Sequence, residues 1–392
     1  MLVRRDLDLN TAGWGLDLEP SATFPVGPLW GERRVAISHD WLLSRRGAER
    51  LLKALLCGTS PTPLYTLFFD PRSIDSAFLR HRVRAARLNW LPGVNRYYRY
   101  LLPLFPAGIK SLRVEDAEIL ISIHHSVAKG IPHNSNTLHI CYCLTPMRYL
   151  WEPHLYGDTL LRSWRGDLMR LLSKRLKAWD LQVNRYVDRF VAISRTIQDR
   201  IKTIYGRSSE LIYPGVDLDF FRPSFGARES FYLMVSALVP HKRVDIAVEA
   251  FRRNGRRLYI AGVGPLRKKL ERMSGENTKF LGWVSDDQLR DLYRRATALI
   301  FPGFEDFGLV PVEAQACGCP VIGLGHGGLT ETVTEPQSGV LYREPTAAAL
   351  LDAVEEFERR RFHPHEVRSA VEGFSIPRFQ AEWRDYLSRA DA

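Results

Sequence analysis

The chain has 392 residues, 45% of them hydrophobic, and a formal net charge of +11. That length suits two domains, and that composition gives each an ample core. No apolar run approaches the ~18–20 residues of a membrane span, and the start MLVRRDLDLN lacks the apolar stretch of a secretory signal, so membrane-spanning and secreted classes are set aside.

Residues 1–32 show no clear period and read as a loose extension folding over the first domain. Arg34–Ser38 is a predicted strand ending in His39-Asp40-Trp41, and the run from Gly47 has apolar residues at helical spacing. Together they make the first βα unit of a Rossmann-like domain. Further strands are predicted at Leu64–Phe69, Ile119–Ile123, Leu138–Cys143, Arg189–Ile193 and Glu210–Tyr213, with helices at Leu160–Asn184 and Arg195–Tyr205. Pro214-Gly215 breaks the pattern and marks the linker. Beyond it strands are predicted at Tyr232–Ala237, Arg257–Ala261, Thr278–Leu281, Ala298–Phe301, Pro320–Leu324 and Val340–Tyr342. Helices alternate with them near Val244–Arg253, Leu266–Met273, Asp286–Arg295, Leu309–Cys317 and Thr346–Arg360, and a last helix is predicted at Ile376–Leu387. Repeated βα units imply parallel sheets covered on both faces, with ligands beyond the carboxyl ends of the strands. The expected divisions are 1–32, 33–213, 214–375 and 376–392.

Charge is unevenly placed. Between Asp75 and Glu115 there is no acidic residue, while arginines from Arg80 to Arg113 alternate with Trp90, Tyr97, Tyr98, Tyr100 and Phe105. Such a face can meet nucleic acid, anionic lipid or a phosphorylated acceptor, or can simply be a solvated basic face. No nucleic-acid motif accompanies it, so an anionic membrane surface or a lipid-diphosphate acceptor ranks first and nucleic acid is not expected. The five cysteines are read as buried reduced thiols rather than a four-thiolate zinc site, which places the protein in the cytoplasm, and the basic face places it peripherally on the inner face of the membrane. Asp6-x-Asp8 and Asp217-x-Asp219 imitate a metal-binding DxD, but neither follows a strand in a nucleotide-binding unit, so no metal is expected. Gly323-x-Gly325-x-x-Gly328 imitates a dinucleotide fingerprint. It sits late in the second domain, and a dehydrogenase would leave the neighbouring carboxylates unexplained.

Those carboxylates lie in FPGFEDFGLVPVEAQACGCPVIGLGHGGLTETV, residues 301–333. Glu305 is in a loop after a strand, and Glu313, eight residues on, is just over a turn into a helix. A helix start offers free N–H groups and a positive dipole end, which suits phosphate. Two acceptors beside it suit a ligand with hydroxyl groups on both sides of its phosphates, as in a nucleotide-sugar.

This E-x7-E spacing followed by GGLTETV resembles the retaining glycosyltransferases of family 4. The resemblance implies an α/β GT-B fold, two Rossmann-like domains with parallel sheets facing across a cleft. It places Glu305 against the donor sugar, Glu313 on the ribose, and the backbone of Phe307, Gly308 and Leu309 on the diphosphate. HDWLLSRRGAER resembles the family's first donor loop, where a Gly pair meets the diphosphate; here only Gly47 is retained, and Arg46 stands at the other position. SIHHSVAKG resembles the segment whose His faces acceptor and donor sugar, and register with VAKG selects His125 over His124. SALVPHKRVD aligns Lys242 with a diphosphate lysine at a helix start, with Ala237 where an Arg is frequent. FLGWVSDDQL places Val284 at the nucleotide base, and TPMRY offers Arg148 to an acceptor phosphate. Catalytic roles thus fall on His125, Glu305 and Lys242, and the C-terminal helix is expected to cross back onto the first domain. HDWL, VAKG and TPMRY point toward bacterial mannosyltransferases of surface-polysaccharide assembly, hence toward GDP-mannose as donor and a lipid-diphosphate-linked glycan or saccharide as acceptor. The missing Gly and Arg leave a non-catalytic sugar-nucleotide binder as the alternative, and a protein using only the basic face as another.

Overall fold

The computed structural model describes residues 29–44, 47–153, 165–224 and 226–390, with backbone alone for 165–171. Two parallel sheets organise it. The first contains β1 (Val35–Leu42), β2 (Pro63–Phe69), β3 (Arg82–Ala85), β4 (Ile119–His124), β5 (Leu138–Cys143), β6 (Arg189–Ala192) and β7 (Glu210–Leu211), in spatial order 3-2-1-4-5-6-7. The second contains β8 (Tyr232–Val235), β9 (Leu258–Ala261), β10 (Thr278–Gly282), β11 (Leu299–Phe301), β12 (Val321–Leu324) and β13 (Gly339–Tyr342), in order 10-9-8-11-12-13. Central strands are buried along their length because helices cover both faces: every residue of β4 is buried, Ser122 and His124 with its isoleucines, and among the apolar side chains Ile37 of β1 sits in register between Leu64 and Ile121. Each such side chain taken from water stabilises the fold by roughly 1.5–3 kcal/mol.

The helix Val244–Asn254 shows how the covering layer is specified. Val244, Ala247, Val248 and Phe251 fall at helical spacing on its buried side, and Gly255, in the left-handed region at φ 70°, ends it. The helix Asp286–Arg295 starts on a capping box between Ser285 and Gln288.

Several elements differ from the sequence expectation. β3 lies inside the basic span. Arg82 and Arg84 alternate with the partly buried Val83 and Ala85 at the sheet edge, so no apolar run announces it. The helix expected over Arg195–Tyr205 is α-helical to Arg200 and continues as a π turn to Tyr205, where Gly206 stops it. The long helix spans Arg165–Val183, and residues 160–164 lie outside the described ones. A short helix at Pro364–Ser369 had no forecast.

In both sheets the strand order reverses beside the first strand, between β1 and β4 and between β8 and β11. Such reversals open a crevice at the carboxyl ends. The chain passes to the second domain through residues 213–216 and returns at residues 374–376. There Val216 pairs in parallel with Ser375. The last helix, Ile376–Arg389, packs on the helix Gly47–Leu56 of the first domain. Gln380 Nε2 donates to the carbonyls of Ala54 at 3.1 Å and Cys57 at 2.8 Å. Trp383, fully buried, meets Tyr142 of β5 edge-on at 5.2 Å. All five thiols are free, and four of them are buried. Among the described residues no helix is long and apolar enough to cross a membrane.

Candidate functional site

The crevice of the second sheet is lined by the loops after β8 and β11. These loops touch so closely that a Cβ on Gly303 would lie 2.9 Å from Lys242 Cα. Their approach brings Lys242 Nζ onto Glu305 Oε2 as an ion pair, with both side chains about one-fifth exposed. Lys242 was expected at a helix start. It belongs instead to a 3₁₀ turn, Pro240–Lys242, and the helix begins after Arg243, which is held at φ 48°. Arg243 turns away to pair with Asp245. Glu305 is braced from behind by the glycine loop: Gly328 N donates to its carbonyl at 2.9 Å, and Gly327 bridges to it.

Gly308, at φ 97°, lets the chain turn from this loop into the helix Leu309–Ala316. No side chain caps that helix, so its first amides stay open to an acceptor from outside. Phe307 is buried against Tyr213 and Phe374 and anchors the loop. Across the cleft stands the start of the helix Gly47–Leu56. A Cβ on Gly47 would meet Leu309 Cδ1 at 3.3 Å, so the starts of the two helices adjoin. Their positive ends converge where an anion would sit. Arg46 lies outside the described residues.

Glu313 points inward from the same helix and is 4% exposed. Burial raises its pKa most strongly, while Arg50 and the Tyr293 hydroxyl, 3.2 Å away, pull the other way. Arg50 comes from the first domain and bridges Glu313 to Asp286. Asp286 is two residues past the partly buried Val284, so the Val284 loop and Glu313 share one end of the cleft. Arg50 falls inside the motif HDWLLSRRGAER without a role there, because its partners lie more than two hundred positions away, beyond the reach of any local pattern.

The opposite wall is built on Asp40. Its fully buried carboxylate accepts the backbone N–H groups of His125, Ser126, Val127 and Ala128 at 2.5–2.9 Å and pairs with His125 Nδ1 at 3.0 Å. Burial pushes the Asp40 pKa up, but the His125 charge and hydrogen bond outweigh it and hold it well below the usual range. In His125 the balance is reversed: burial favours the neutral ring, Asp40 wins, and the pKa rises. The ring is one-fifth exposed and rests edge-on against Trp41 at 4.5 Å. His124 turns into the core instead, with its pKa lowered to about 3, mainly by burial and then by Lys129. Beneath this loop a fully buried Lys129 donates to Asp180 at 2.8 Å and to Asn184 at 2.6 Å.

Two carboxylates of the second domain clasp the first. Asp306 receives Arg148 and, at 2.5 Å, Arg200, while Ser194 Oγ donates to its carbonyl at 2.6 Å. Glu331 accepts the amides of Arg195 and Thr196 at 2.8 and 3.1 Å and the Tyr213 hydroxyl at 2.9 Å. Arg148, offered by its motif to an acceptor phosphate, is thus engaged in the clasp. The structure gathers Gly47, Lys242, Glu305, Gly308, Leu309 and Glu313 along one cleft, with His125 on its other wall. Among the described residues no group of three or more His, Cys, Asp or Glu side chains is placed to hold a metal ion.

Residues 217–372 match the family model described as Glycosyl transferases group 1. Over 206 residues the chain is 31% identical to D-inositol 3-phosphate glycosyltransferase of Mycobacteroides abscessus, covering 46% of each. It is 30% identical over 195 residues to the GDP-mannose-dependent alpha-(1-6)-phosphatidylinositol monomannoside mannosyltransferase of Mycobacterium tuberculosis, covering 42% of this chain and 51% of that one. The chain therefore spans about half the length of the curated relatives it matches. Among solved structures it resembles Anabaena HepE in complex with UDP and glucose, with a TM-score of 0.66 and 16% identity over 91% of this chain and 100% of that one. Sucrose-phosphate synthase from Thermosynechococcus elongatus gives a TM-score of 0.66 and 18% identity, over 92% of this chain and 98% of that one. These likenesses show the fold, two parallel-sheet α/β domains of the GT-B type.

Proposed function

We propose that the chain is a retaining glycosyltransferase that moves a hexose from a nucleoside-diphosphate sugar to a saccharide or lipid-linked acceptor. The observation that carries this reading is the pair of adjoining helix starts at Gly47 and Leu309, with Lys242 and Glu305 beside them and the buried Glu313 a turn further on. The diphosphate lies alongside the two adjoining helix starts. Glu313 holds the ribose hydroxyls and the Val284 loop the base. GDP-mannose is the first donor to test, supported by the motifs HDWL, VAKG and TPMRY and by the name of the mycobacterial mannosyltransferase.

The chemistry is electrostatic. As the bond between the sugar C1 and the phosphate oxygen breaks, the acceptor hydroxyl oxygen bonds to C1 and its proton passes to the leaving diphosphate, whose growing charge Lys242 and the open amides can meet. Glu305, paired with Lys242, takes a hydroxyl of the donor sugar. His125 keeps its proton further into the neutral range, so it donates a hydrogen bond toward the sugar rather than acting as a base. The carboxylates Glu305 and Glu313 serve opposite ends of the donor, unlike the paired acids of a glycosidase.

A thermal-shift panel of nucleotide-sugars tests donor binding, because a ligand at 100 times its Kd adds roughly 2.7 kcal/mol to stability. A rise with GDP-mannose, followed by transfer with retained anomeric configuration by NMR, is expected. No shift with any nucleoside diphosphate would remove the reading. A shift without transfer or donor hydrolysis would make the protein a binder instead.

A further inference from the structure

One face of the first domain carries side chains that donor chemistry leaves unused. After β3 the chain runs through four short helical turns, Arg87–Trp90, Val94–Tyr97, Tyr98–Leu104 and Phe105–Lys110, packed on one another. Their inner side belongs to the core. Phe105 and Tyr98 lie 6.1 and 5.4 Å from Trp41, the residue that also backs His125. Their outer side leaves Trp90 81%, Tyr100 86%, Leu104 47% and Leu91 39% exposed. Four large apolar side chains exposed within residues 90–104 mark an interaction surface more often than singly scattered ones do.

Every charged residue on the turns themselves is basic, and Asp70, which accepts from Asn95 Nδ2 at 2.9 Å, lies at their edge. Arg87, Arg96 and Lys110 are exposed, and no carboxylate among the described residues pairs with them. We propose that this face docks the protein on an anionic lipid bilayer. Trp90 and Tyr100 would lie at the headgroup level, Leu91 and Leu104 would enter the acyl boundary, and the basic side chains would meet lipid phosphates. Nucleic acid shares the attraction to arginine and to aromatic faces but has no use for the exposed leucines. The inference deepens the glycosyltransferase reading and rests on it for its purpose: a patch packed behind Trp41 holds the His125 wall beside the surface from which a lipid-linked acceptor arrives. The docking itself depends on the patch alone.

Sedimentation of the full chain with mixed phosphatidylcholine–phosphatidylglycerol vesicles, against phosphatidylcholine alone, is the test. Binding to the mixed vesicles at low salt is expected, with little to the neutral ones. Each basic residue near an anionic leaflet is worth about 1 kcal/mol, or about fivefold. R87E/R96E/K110E should therefore lower partitioning by at least about 100-fold. W90S/Y100S/L104S should lower it by more than about tenfold, since each buried CH₂ adds ~0.8 kcal/mol. The vesicle-induced blue shift of tryptophan fluorescence should be lost in W90F. All three variants should keep the parent Tm and its shift with nucleotide-sugar, which separates failure here from failure of the glycosyltransferase reading. No binding by the parent to anionic vesicles would overturn the proposal. So would binding that charge reversal abolishes but W90S/Y100S/L104S leaves intact, especially if single-stranded RNA competes for it.

Discussion

Lys242 and Glu305 neutralise each other at the mouth of the second sheet, and a diphosphate would have to share that lysine. Ala237 supplies no second cation, and Arg243 is committed to Asp245 from a left-handed position, so neither replaces it. A charged hydrogen bond is worth roughly 1.5–3 kcal/mol, and more as leaving-group charge develops. Lys242→Ala should lower kcat/KM by at least about 100-fold, or ~2.7 kcal/mol, while Arg243→Ala costs little. A Lys242→Ala protein within tenfold of the parent would dismantle this account. On the other wall, activity that needs protonated His125 should fall at alkaline pH, with an apparent pKa above the ordinary 6.5. Asp40→Asn removes the charge that raises it, so that limb should move to lower pH. An unchanged profile would mean that His125 does not act in its charged form. The inward-facing histidines work the other way on stability. His39, His124 and His139 have folded-state pKa values of about 4, 3 and 3, below the 6.5 of the unfolded chain. Their contribution is whole above about pH 6.5 and is lost as pH falls toward those values. Tm should therefore drop steadily between pH 6.5 and 4, and His124→Leu should flatten the drop.

The start of the helix Leu309–Ala316 depends on Gly308 at φ 97°. A side chain there costs roughly 1–2 kcal/mol and twists the open amides away from the cleft. Gly308→Ala should thus weaken nucleotide-sugar binding together with lowering Tm; normal affinity in this variant would show that those amides do not touch the ligand. This element was legible in the sequence because its glycines, carboxylates and apolar residues fall at fixed local spacing. Most strands were legible for a related reason, since a parallel strand covered on both faces reads as an unbroken apolar run. β3 was not, because an edge strand with Arg82 and Arg84 on one side has no such run. Pro364–Ser369 is too short and polar to show a period. The networks of Asp40, Arg50 and Lys129 were hidden for another reason. Each joins residues tens to hundreds of positions apart, and nothing in the local pattern says which carboxylate a given cation will meet.

At the scale of the whole molecule, the cleft is held by charges. Asp306 gathers Arg148 and Arg200, and Arg50 bridges to Glu313 and Asp286. Asp306→Asn leaves two arginines against a neutral group. It should loosen the domains, seen as a larger radius of gyration in solution scattering, with the increase diminished when nucleotide-sugar is bound. An unaltered scattering profile would show that packing, not this clasp, sets closure. The two crossings between the domains add a mechanical constraint. They lie side by side, with Val216 N donating to Phe374 O at 2.7 Å and Ile376 N to Val216 O at 3.2 Å. Two crossings tied at this one bridge define a common axle for any swing of the domains and oppose slip between them. Phe307 rests against Tyr213 on one crossing and Phe374 on the other, so the root of the loop carrying Glu305 sits at the pivot, where the lever arm is shortest. Were the leaves to open, that loop would travel least, and the wall bearing His125 would swing toward or away from a Glu305 loop that keeps its aim.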